Sequence, residues 1–173
     1  MGGTGAAMRV RQAGRGEVAA VMGLIRRVVP LMRQAGNYQW DAGYPNPEVF
    51  TRDVEQGQLW VAEEKGRILG VAAITTDQEP EYVQVGWDPA ETAIVVHRLA
   101  VAPESRGLGV AGALMAKAEA VARARGITVL RLDTNVNNEA TRRLFPKLGY
   151  VAAGEIGLGF RPGLRFLCFE KRL

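Results

Sequence analysis

A glycine-rich loop between a short apolar segment and a long helical segment is the feature that most restricts the fold of this chain. The loop runs Val101-Ala-Pro-Glu-Ser-Arg-Gly-Leu-Gly-Val-Ala-Gly112. Because glycine has no Cβ, consecutive backbone N–H groups can converge on one anion. The positive end of the helix dipole lies at the same point and adds to that attraction. The sequence therefore predicts a strand–loop–helix unit that can bind a phosphate or pyrophosphate group.

The same loop contains a literal G-x-G-x-x-G match that begins at Gly107, and Asp133 lies 21 residues beyond its last glycine, Gly112. This combination is typical of dinucleotide-binding domains, in which the acidic residue binds a ribose hydroxyl. The spacing argues against that interpretation, because five residues separate Val101 from Gly107. Moreover, 61 residues follow Gly112, too few for the rest of a six-stranded doubly wound sheet. A dinucleotide-binding fold is therefore the weaker alternative.

The apolar periodicity of the whole chain predicts an α/β domain with the element order β-α-α-β-β-β-α-β-α-β-β. In the first helix, apolar residues recur at spacings of three and four, although Pro30 lies near its end. The long connection 77–90 contains two prolines and is compatible with one more short strand at 83–85. The predicted strands are 8–12, 59–63, 68–75, 93–101, 128–133, 151–156 and 165–171, and the predicted helices are 17–32, 47–54, 109–125 and 138–148.

The length of 173 residues favours one domain. Residues 1–7 are small and glycine-rich, which predicts a flexible leader, so the single domain is expected to span 8–173. The apolar runs are far shorter than the roughly 20 residues needed to cross a bilayer, and no secretory signal pattern is visible. These features predict a cytoplasmic protein that does not associate with membranes.

Several chemistries are disfavoured because their residues are scarce. The chain has one cysteine, Cys168, one histidine, His97, and one serine, Ser105. An intrachain disulfide and a thiolate metal cluster both need more cysteines, and we expect no metal site. Ser105 lies outside a nucleophile-elbow motif, which disfavours a serine hydrolase. The net charge is +4, but the basic residues are scattered rather than gathered in a patch, so nucleic-acid binding is not expected.

Two regions of the chain together resemble the GNAT N-acetyltransferase superfamily. In the loop, Arg106, Gly109 and Ala111 match the Arg/Gln-x-x-Gly-x-Gly/Ala acyl-CoA signature of that family. The resemblance covers roughly residues 8–171, and the upstream part is similar to a bacterial subgroup. The other segments that carry it are His97-Arg-Leu-Ala-Val-Ala-Pro103, Arg131-Leu-Asp-Thr134, Asn138-Glu-Ala140, Leu144-Phe-Pro-Lys-Leu-Gly-Tyr150 and, upstream, Gln39-Trp40, Tyr44-Pro45 and Leu69-Gly70.

The resemblance implies a mixed, mostly antiparallel central sheet flanked by helices, with acetyl-CoA as co-substrate. It implies that the loop holds the CoA pyrophosphate through backbone N–H groups, and that the Leu99 N–H also serves as oxyanion donor to the thioester. Asn138 would contact the pantetheine arm and Lys147 the nucleotide phosphates, although Asn138 equally suits a helix N-cap. The implied cofactor-binding residues are Leu99, Ala100, Val101, Arg106, Gly107, Leu108, Gly109, Val110, Ala111, Gly112, Asn138, Phe145 and Lys147.

Phe145 departs from the family pattern, because many relatives have a tyrosine there that protonates the departing CoA thiolate. Phenylalanine has no proton to give, so water, Tyr44 or Tyr82 are the candidates to replace it. A thiol with a pKa of about 8.5 is also a tolerable leaving group at neutral pH. An inactive CoA-binding sensor or interaction module is therefore an alternative to an enzyme that acetylates a primary amine.

An amine acceptor must lose a proton before it attacks the thioester. Histidine changes charge near neutral pH, so His97 is a candidate base, with a hydrogen-bonded structural residue as the alternative. We expect direct transfer in a ternary complex, with Cys168 as a buried structural thiol.

The acceptor is not identified by the sequence, which fits a small-molecule amine as well as a protein N-terminus or lysine. The candidate substrate-binding residues are the aromatic residues Trp40, Tyr44, Tyr82 and Trp87 of the predicted loops. Their rings suit an amine, but they would equally serve to cover the core. The family analogy also allows a homodimer.

Overall fold

The computed structural model describes residues 7–173. The flexible leader predicted for 1–7 lies outside these residues, apart from Ala7. The described residues follow the predicted order of strands and α-helices, which confirms the α/β prediction. The strands are β1 (Arg9–Gln12), β2 (Leu59–Glu64), β3 (Arg67–Thr75), β4 (Ile94–Val101), β5 (Val129–Asn135), β6 (Val151–Ile156) and β7 (Phe166–Arg172), and the helices are α1 (Val18–Gln34), α2 (Pro47–Glu55), α3 (Val110–Ala124) and α4 (Glu139–Lys147).

A seven-stranded sheet in the order β1-β2-β3-β4-β5-β7-β6 forms the centre of the described chain. Neighbouring strands are antiparallel except for β4 and β5, which are parallel. The predicted mixed, mostly antiparallel sheet is thus confirmed. Helices α1 and α2 pack on one face of the sheet and α3 and α4 on the other, so each face has its own apolar core.

Local signals explain where the first two helices begin and end. Helix α2 begins after Asn46, whose side chain accepts the backbone N–H of Val49 at 2.9 Å, and Pro47 occupies its first position. Helix α1 continues through Pro30 to Gln34, two residues beyond the predicted end. Pro30 is exposed, so the helix loses one hydrogen bond without disturbing its buried face. Within residues 7–173, none of the helices is both long and apolar enough to span a membrane.

The strand predicted at 83–85 is wrong, because residues Pro80–Val85 form a 3-10 helix. Pro80 lies in its first turn, where a fixed φ and a missing N–H suit the start of a helix. Gly86 ends the turn with a φ of +79°. The segment is anchored by the buried ring of Tyr82, while Val83 is exposed. Burial of one aromatic ring therefore outweighs the β-propensity of the two valines.

Gly70 lies where strand β3 passes beneath the start of helix α3, and no side chain fits there. A Cβ at this position would lie 2.6 Å from Val110 Cγ1 and 3.0 Å from the carbonyl oxygen of Ala100. Gly70 also pairs with Val101, the last residue of β4. The missing side chain thus lets the first turn of α3 approach the sheet, which determines where the loop after β4 lies.

We expect Gly70→Ala to lower the free energy of unfolding by about 1–3 kcal/mol, because the new Cβ overlaps a buried side chain and backbone. Gly23→Ala is the matched control, since Gly23 lies within α1 and a Cβ there meets nothing within 4 Å. That control should gain about 0.5–1 kcal/mol. Urea unfolding of both variants measures the difference, and equal effects would contradict the close approach at Gly70.

Candidate active site

Strands β4 and β5 pair over two residues and then part. The parallel register joins Ile94 to Leu130 and Val95 to Arg131. Beyond this point β4 runs to Val101 without pairing to β5 in the described chain, and a cleft of about 1240 Å³ opens beside it. One half of the cleft is lined by β4, the glycine loop and the start of α4. The other half is lined by the end of α1, the segment leading into α2, and the loop between β6 and β7.

A β-bulge interrupts β4 where the strand borders the cleft. His97 is opposite Ala73 and Ala100 is opposite Val71, so two residues of β4 face one residue of β3. The first of these two, Arg98, has a φ of +54°, in the left-handed region. A bulge increases the local twist, and here it lies just beyond the point where β5 diverges.

Leu99 and Val101 of β4 both line the cleft. Ala102 donates its N–H to the carbonyl of Leu69, at the start of β3, at 2.8 Å. Because N–H groups alternate between the two edges of a regular strand, that of Val101 faces the opposite edge, from which β5 has diverged. Leu99 lies within the bulge, where the alternation is interrupted, and its backbone is the nearest further candidate donor to an extended ligand along this edge.

The glycine loop presents its backbone donors to the same cleft. Gly107 and Gly109 have φ values of +78° and +80°, and Gly109 is the N-cap of α3. The first N–H groups of a helix have no intrahelical acceptor, which here leaves those of Val110, Ala111 and Gly112 available. These residues all line the cleft. The arrangement is therefore a site where an anion can bind.

The other residues implied to contact a cofactor differ in their placement. Arg106 and Asn138 line the cleft, and the Asn138 side chain also caps α4 by accepting a backbone N–H at 3.2 Å. Phe145 borders the cleft, but its side chain is buried and belongs to the apolar core. Leu108 and Lys147 are exposed and are not among the residues that line the cleft.

His97 borders the cleft and has one ring nitrogen that can accept a proton. Its Nε2 lies 2.8 Å from the carbonyl oxygen of Asp77. A carbonyl only accepts hydrogen bonds, so in the neutral ring Nε2 carries the proton and Nδ1 carries the lone pair. Nδ1 is 3.9 Å from a carboxyl oxygen of Glu79. A protonated His97 ring would therefore face a carboxylate.

Two carboxyl groups that no sequence motif marks as catalytic also line this part of the cleft. Burial raises the pKa of the Glu79 carboxyl, and the neighbouring His97 only partly offsets that effect. Burial likewise raises the pKa of Asp133, whose carboxyl accepts a 2.6 Å hydrogen bond from the Tyr82 hydroxyl. Raised carboxyl pKa values in a cleft are typical of functional sites. The sequence predicts that the connection 77–90 contributes to the acceptor pocket, but a raised pKa is visible only once burial is known, so Glu79 itself was not singled out.

The four aromatic residues predicted to contact an acceptor fall into two groups. Trp40 and Tyr44 line the half of the cleft opposite the glycine loop. Tyr82 and Trp87 pack edge to face at 5.0 Å in a separate buried cluster, and they are not among the residues that line the cleft. Phe160 does line the cleft, with its ring centroid 6.1 Å from that of Tyr44. Its turn, residues 157–164, is one of the segments from which the sequence predicts the acceptor pocket, although Phe160 itself was not singled out.

Cys168 lies in β7 and is completely buried. Burial raises the pKa of its thiol to about 12. The thiolate is the nucleophilic form of cysteine, so this side chain is a poor nucleophile at neutral pH. Within residues 7–173, no group of three or more His, Cys, Asp and Glu side chains is arranged to hold a metal ion.

Known proteins share this sequence pattern. The model of the acetyltransferase (GNAT) family matches residues 26–150. N-acetyltransferase YesJ of Bacillus subtilis is 24% identical over 161 residues, which cover 91% of this chain and 86% of that protein. The IAA acetyltransferase of Azospirillum brasilense is 31% identical over 151 residues, which cover 84% of this chain and 90% of that protein.

Solved structures share the fold over nearly the whole chain. A GNAT-family acetyltransferase from Streptococcus agalactiae has a TM-score of 0.81 at 26% identity and covers 96% of this chain and 95% of its own. An acetyltransferase from Salmonella typhimurium, solved with acetyl-CoA, has a TM-score of 0.71 at 19% identity. The match covers 96% of this chain and 94% of that protein. Since the family model spans most of the chain and the fold agrees throughout, this protein belongs to the GNAT family of acetyltransferases.

Proposed function

We propose that the protein transfers the acetyl group of acetyl-CoA to a primary amine in a ternary complex. One observation carries this proposal: a single cleft joins the free edge of β4 to the glycine loop at the start of α3. The strand edge offers backbone N–H donors to the extended pantetheine arm of CoA, and the loop offers backbone N–H donors to its pyrophosphate. The Salmonella acetyltransferase that has this fold was solved with acetyl-CoA, which supports acetyl-CoA as the donor.

In this proposal the loop 107–112 holds the pyrophosphate, with Leu108 contributing through its backbone alone. Leu99 and Val101 pair with the pantetheine arm, and Arg106 and Asn138, which both line the cleft, also contact the cofactor. The Leu99 N–H donates to the thioester oxygen, which gains negative charge as the acceptor attacks. One donor of this kind contributes a factor of about 10²–10³ to kcat.

His97 is the proposed proton acceptor. A primary amine with a pKa of about 10 arrives mostly as an ammonium ion. Its proton passes to Nδ1 of His97, and the neutral nitrogen then attacks the thioester carbon. The resulting imidazolium faces Glu79 at 3.9 Å while Nε2 keeps its hydrogen bond to Asp77. The new positive charge on His97 thus lies beside an acidic side chain.

CoA leaves as a thiolate, which Phe145 cannot protonate. Tyr82 is unsuited to replace the missing acid, because its hydroxyl donates to Asp133 and burial raises its pKa well above the usual value. Tyr44 lines the cleft, and its oxygen accepts a 3.3 Å hydrogen bond from Arg98. The Tyr44 proton is thus free for donation, so Tyr44 or a water molecule is the proposed acid.

The half of the cleft opposite the glycine loop, which we call the acceptor half, suits a small cationic amine. Trp40, Tyr44 and Phe160 provide aromatic faces, and Glu79 and Asp133 provide carboxyl groups. The polyamine N-acetyltransferase of Drosophila melanogaster has this fold, with a TM-score of 0.70 at 20% identity over 96% of this chain and 100% of its own. Its fold accommodates an amine acceptor, which supports a small-molecule amine over a protein.

Acetyl-CoA at 100 times its dissociation constant should stabilise the protein by about 2.7 kcal/mol. For a chain of this size, the melting temperature rises by roughly 5–10 °C. Gly109→Ala should weaken acetyl-CoA binding at least tenfold, because alanine is strained at a φ of +80° where the loop presents its donors. Gly126→Ala is the matched control, since Gly126 lies at the other end of α3 with a φ of +68°.

NADH at equal concentration should leave the melting temperature unchanged. A higher melting temperature with NADH alone would support the dinucleotide-binding alternative. Turnover is then measured by thiol release with agmatine, spermidine and a lysine peptide. Tight acetyl-CoA binding without turnover of any amine would contradict the enzyme and favour a CoA-binding sensor. Equal loss of binding in the Gly109→Ala and Gly126→Ala variants would contradict the role of the loop.

We expect His97→Gln to lower kcat by about 10²-fold at pH 7 because the base is lost. Glutamine can still donate to the Asp77 carbonyl, so the local hydrogen bond is preserved. Since an amine with a pKa of about 10 deprotonates unaided at higher pH, the deficit should shrink toward pH 10. The measurement is kcat against pH for both proteins, and a deficit that is constant across pH would argue for a structural role.

Cys168→Ala should retain kcat within about threefold, because a thiol with a pKa of about 12 provides no acetyl-enzyme intermediate. Native protein should also react with iodoacetamide at pH 8 far more slowly than the urea-unfolded chain does. Mass spectrometry after mixing with acetyl-CoA alone checks for an acetylated enzyme. An acetyl group on Cys168, or a large loss of kcat with intact acetyl-CoA binding, would contradict direct transfer.

A further inference from the structure

Arg98 adopts a backbone conformation that its residue type does not favour. Within residues 7–173, Lys65 and Arg98 are the two non-glycine residues with positive φ. Lys65 precedes Gly66 in the turn between β2 and β3, where such values are usual. Arg98 instead lies at the first position of the β4 bulge, where a left-handed residue is usually glycine. An arginine there is strained, and interactions of its side chain can offset that cost.

The side chain of Arg98 is held by a residue from the acceptor side of the cleft. Its Nε and Nη2 atoms each donate to one carboxyl oxygen of Asp53 at 2.7 Å, and Nη1 donates to the Tyr44 hydroxyl at 3.3 Å. Asp53 lies in α2 and is 2% exposed, and it also accepts from Gln58 at 3.2 Å. A planar guanidinium bound at both oxygens has a fixed direction as well as a fixed position.

The ion pair fixes the side chain of Arg98, and Arg98 directly precedes Leu99 in the chain. The peptide plane between Arg98 and Leu99 carries the Leu99 N–H, so the backbone angles at Arg98 determine where that N–H points. If the bulge relaxed to regular pairing, the side chains beyond it would change faces and the N–H groups would change edges. The contact that holds the Arg98 side chain is made to a residue 45 positions earlier in the chain.

We propose that Arg98 and Asp53 are positioning residues whose ion pair maintains the β4 bulge and thereby aims the Leu99 N–H at the thioester oxygen. The pair also connects helix α2 and Tyr44, which border the acceptor, to the strand that binds the donor. The inference rests on the proposed acetyl-CoA chemistry. It adds that an ion pair between α2 and β4 orients the backbone N–H that is proposed to donate to the thioester oxygen.

A merely structural ion pair can be told apart from a positioning one. Buried ion pairs can often be replaced by apolar residues of similar volume without loss of stability. The double variant Arg98→Met/Asp53→Leu removes both charges and leaves neither unpaired. A structural role predicts that a folded double variant works normally, whereas a positioning role predicts a folded protein with a misdirected donor.

The readout is the infrared carbonyl band of acetyl-CoA labelled with ¹³C at the carbonyl carbon, bound to the full chain. A hydrogen bond to the thioester oxygen lowers that frequency. In the wild-type protein we expect the band below its value for free acetyl-CoA. In the double variant we expect it to return toward the free value, with acetyl-CoA affinity within about threefold and kcat reduced about 10- to 100-fold, part of what loss of one oxyanion donor costs.

Glu55→Gln is the matched control, because Glu55 is also in α2 but forms an exposed ion pair with Arg15. It should leave the band and the affinity unchanged. If the double variant does not fold, Asp53→Asn takes its place, since asparagine keeps one acceptor oxygen for Arg98. The expected return of the band is then smaller but in the same direction.

The outcomes separate this inference from the proposed function. A wild-type protein that does not bind acetyl-CoA would contradict the function, and the inference would fall with it. A wild-type band that is lowered and stays lowered in the folded variants would overturn the inference and leave the function standing. A band at the free value in the wild type would overturn it as well, because no donor would then reach the thioester.

Discussion

The parting of β4 from β5 is the constraint on which the rest of the site depends. These strands are the parallel neighbours in the sheet, and parallel neighbours need a crossover connection, which here is helix α3. Helix α3 must therefore begin at the end of β4. As a result, one connection brings the glycine loop, the positive end of the helix dipole and the free strand edge to a single place. Gly70 makes that approach possible, because Val110 and the Ala100 carbonyl occupy the space a side chain would need.

The cleft carries groups that suit ligands of opposite charge. The part beside α3 offers backbone donors and Arg106, which suit an anionic group. Glu79 and Asp133 also line the cleft, and Glu79 lies 3.9 Å from His97. The positive charge of Arg98 is compensated by Asp53. In the proposed complex the anionic cofactor and the cationic acceptor meet beside the bulge of β4.

Much of the fold could be predicted because it depends on local signals. Apolar periodicity placed the helices and strands, and the helix predicted from Pro47 does begin there as α2. The glycine loop and its phosphate-binding character also follow from consecutive residues. The strand wrongly predicted at 83–85 shows the limit, since burial of Tyr82 decided that segment. The contacts of Asp53 with Arg98 and of Tyr82 with Asp133 join residues 45 and 51 positions apart, and no local pattern encodes them.

Phe145 shows how packing and chemistry share one position. Its ring is 1% exposed and packs 5.4 Å from Phe169 and 6.0 Å from Tyr150. A tyrosine here would have to turn its hydroxyl into the cleft, because a buried hydroxyl without a partner is costly. Phenylalanine needs no such partner and supports the cleft wall through apolar contacts alone. Since this position supplies no acid, the proposed reaction relies on the good leaving group that a thiol provides and on an acid from elsewhere, Tyr44 or a water molecule.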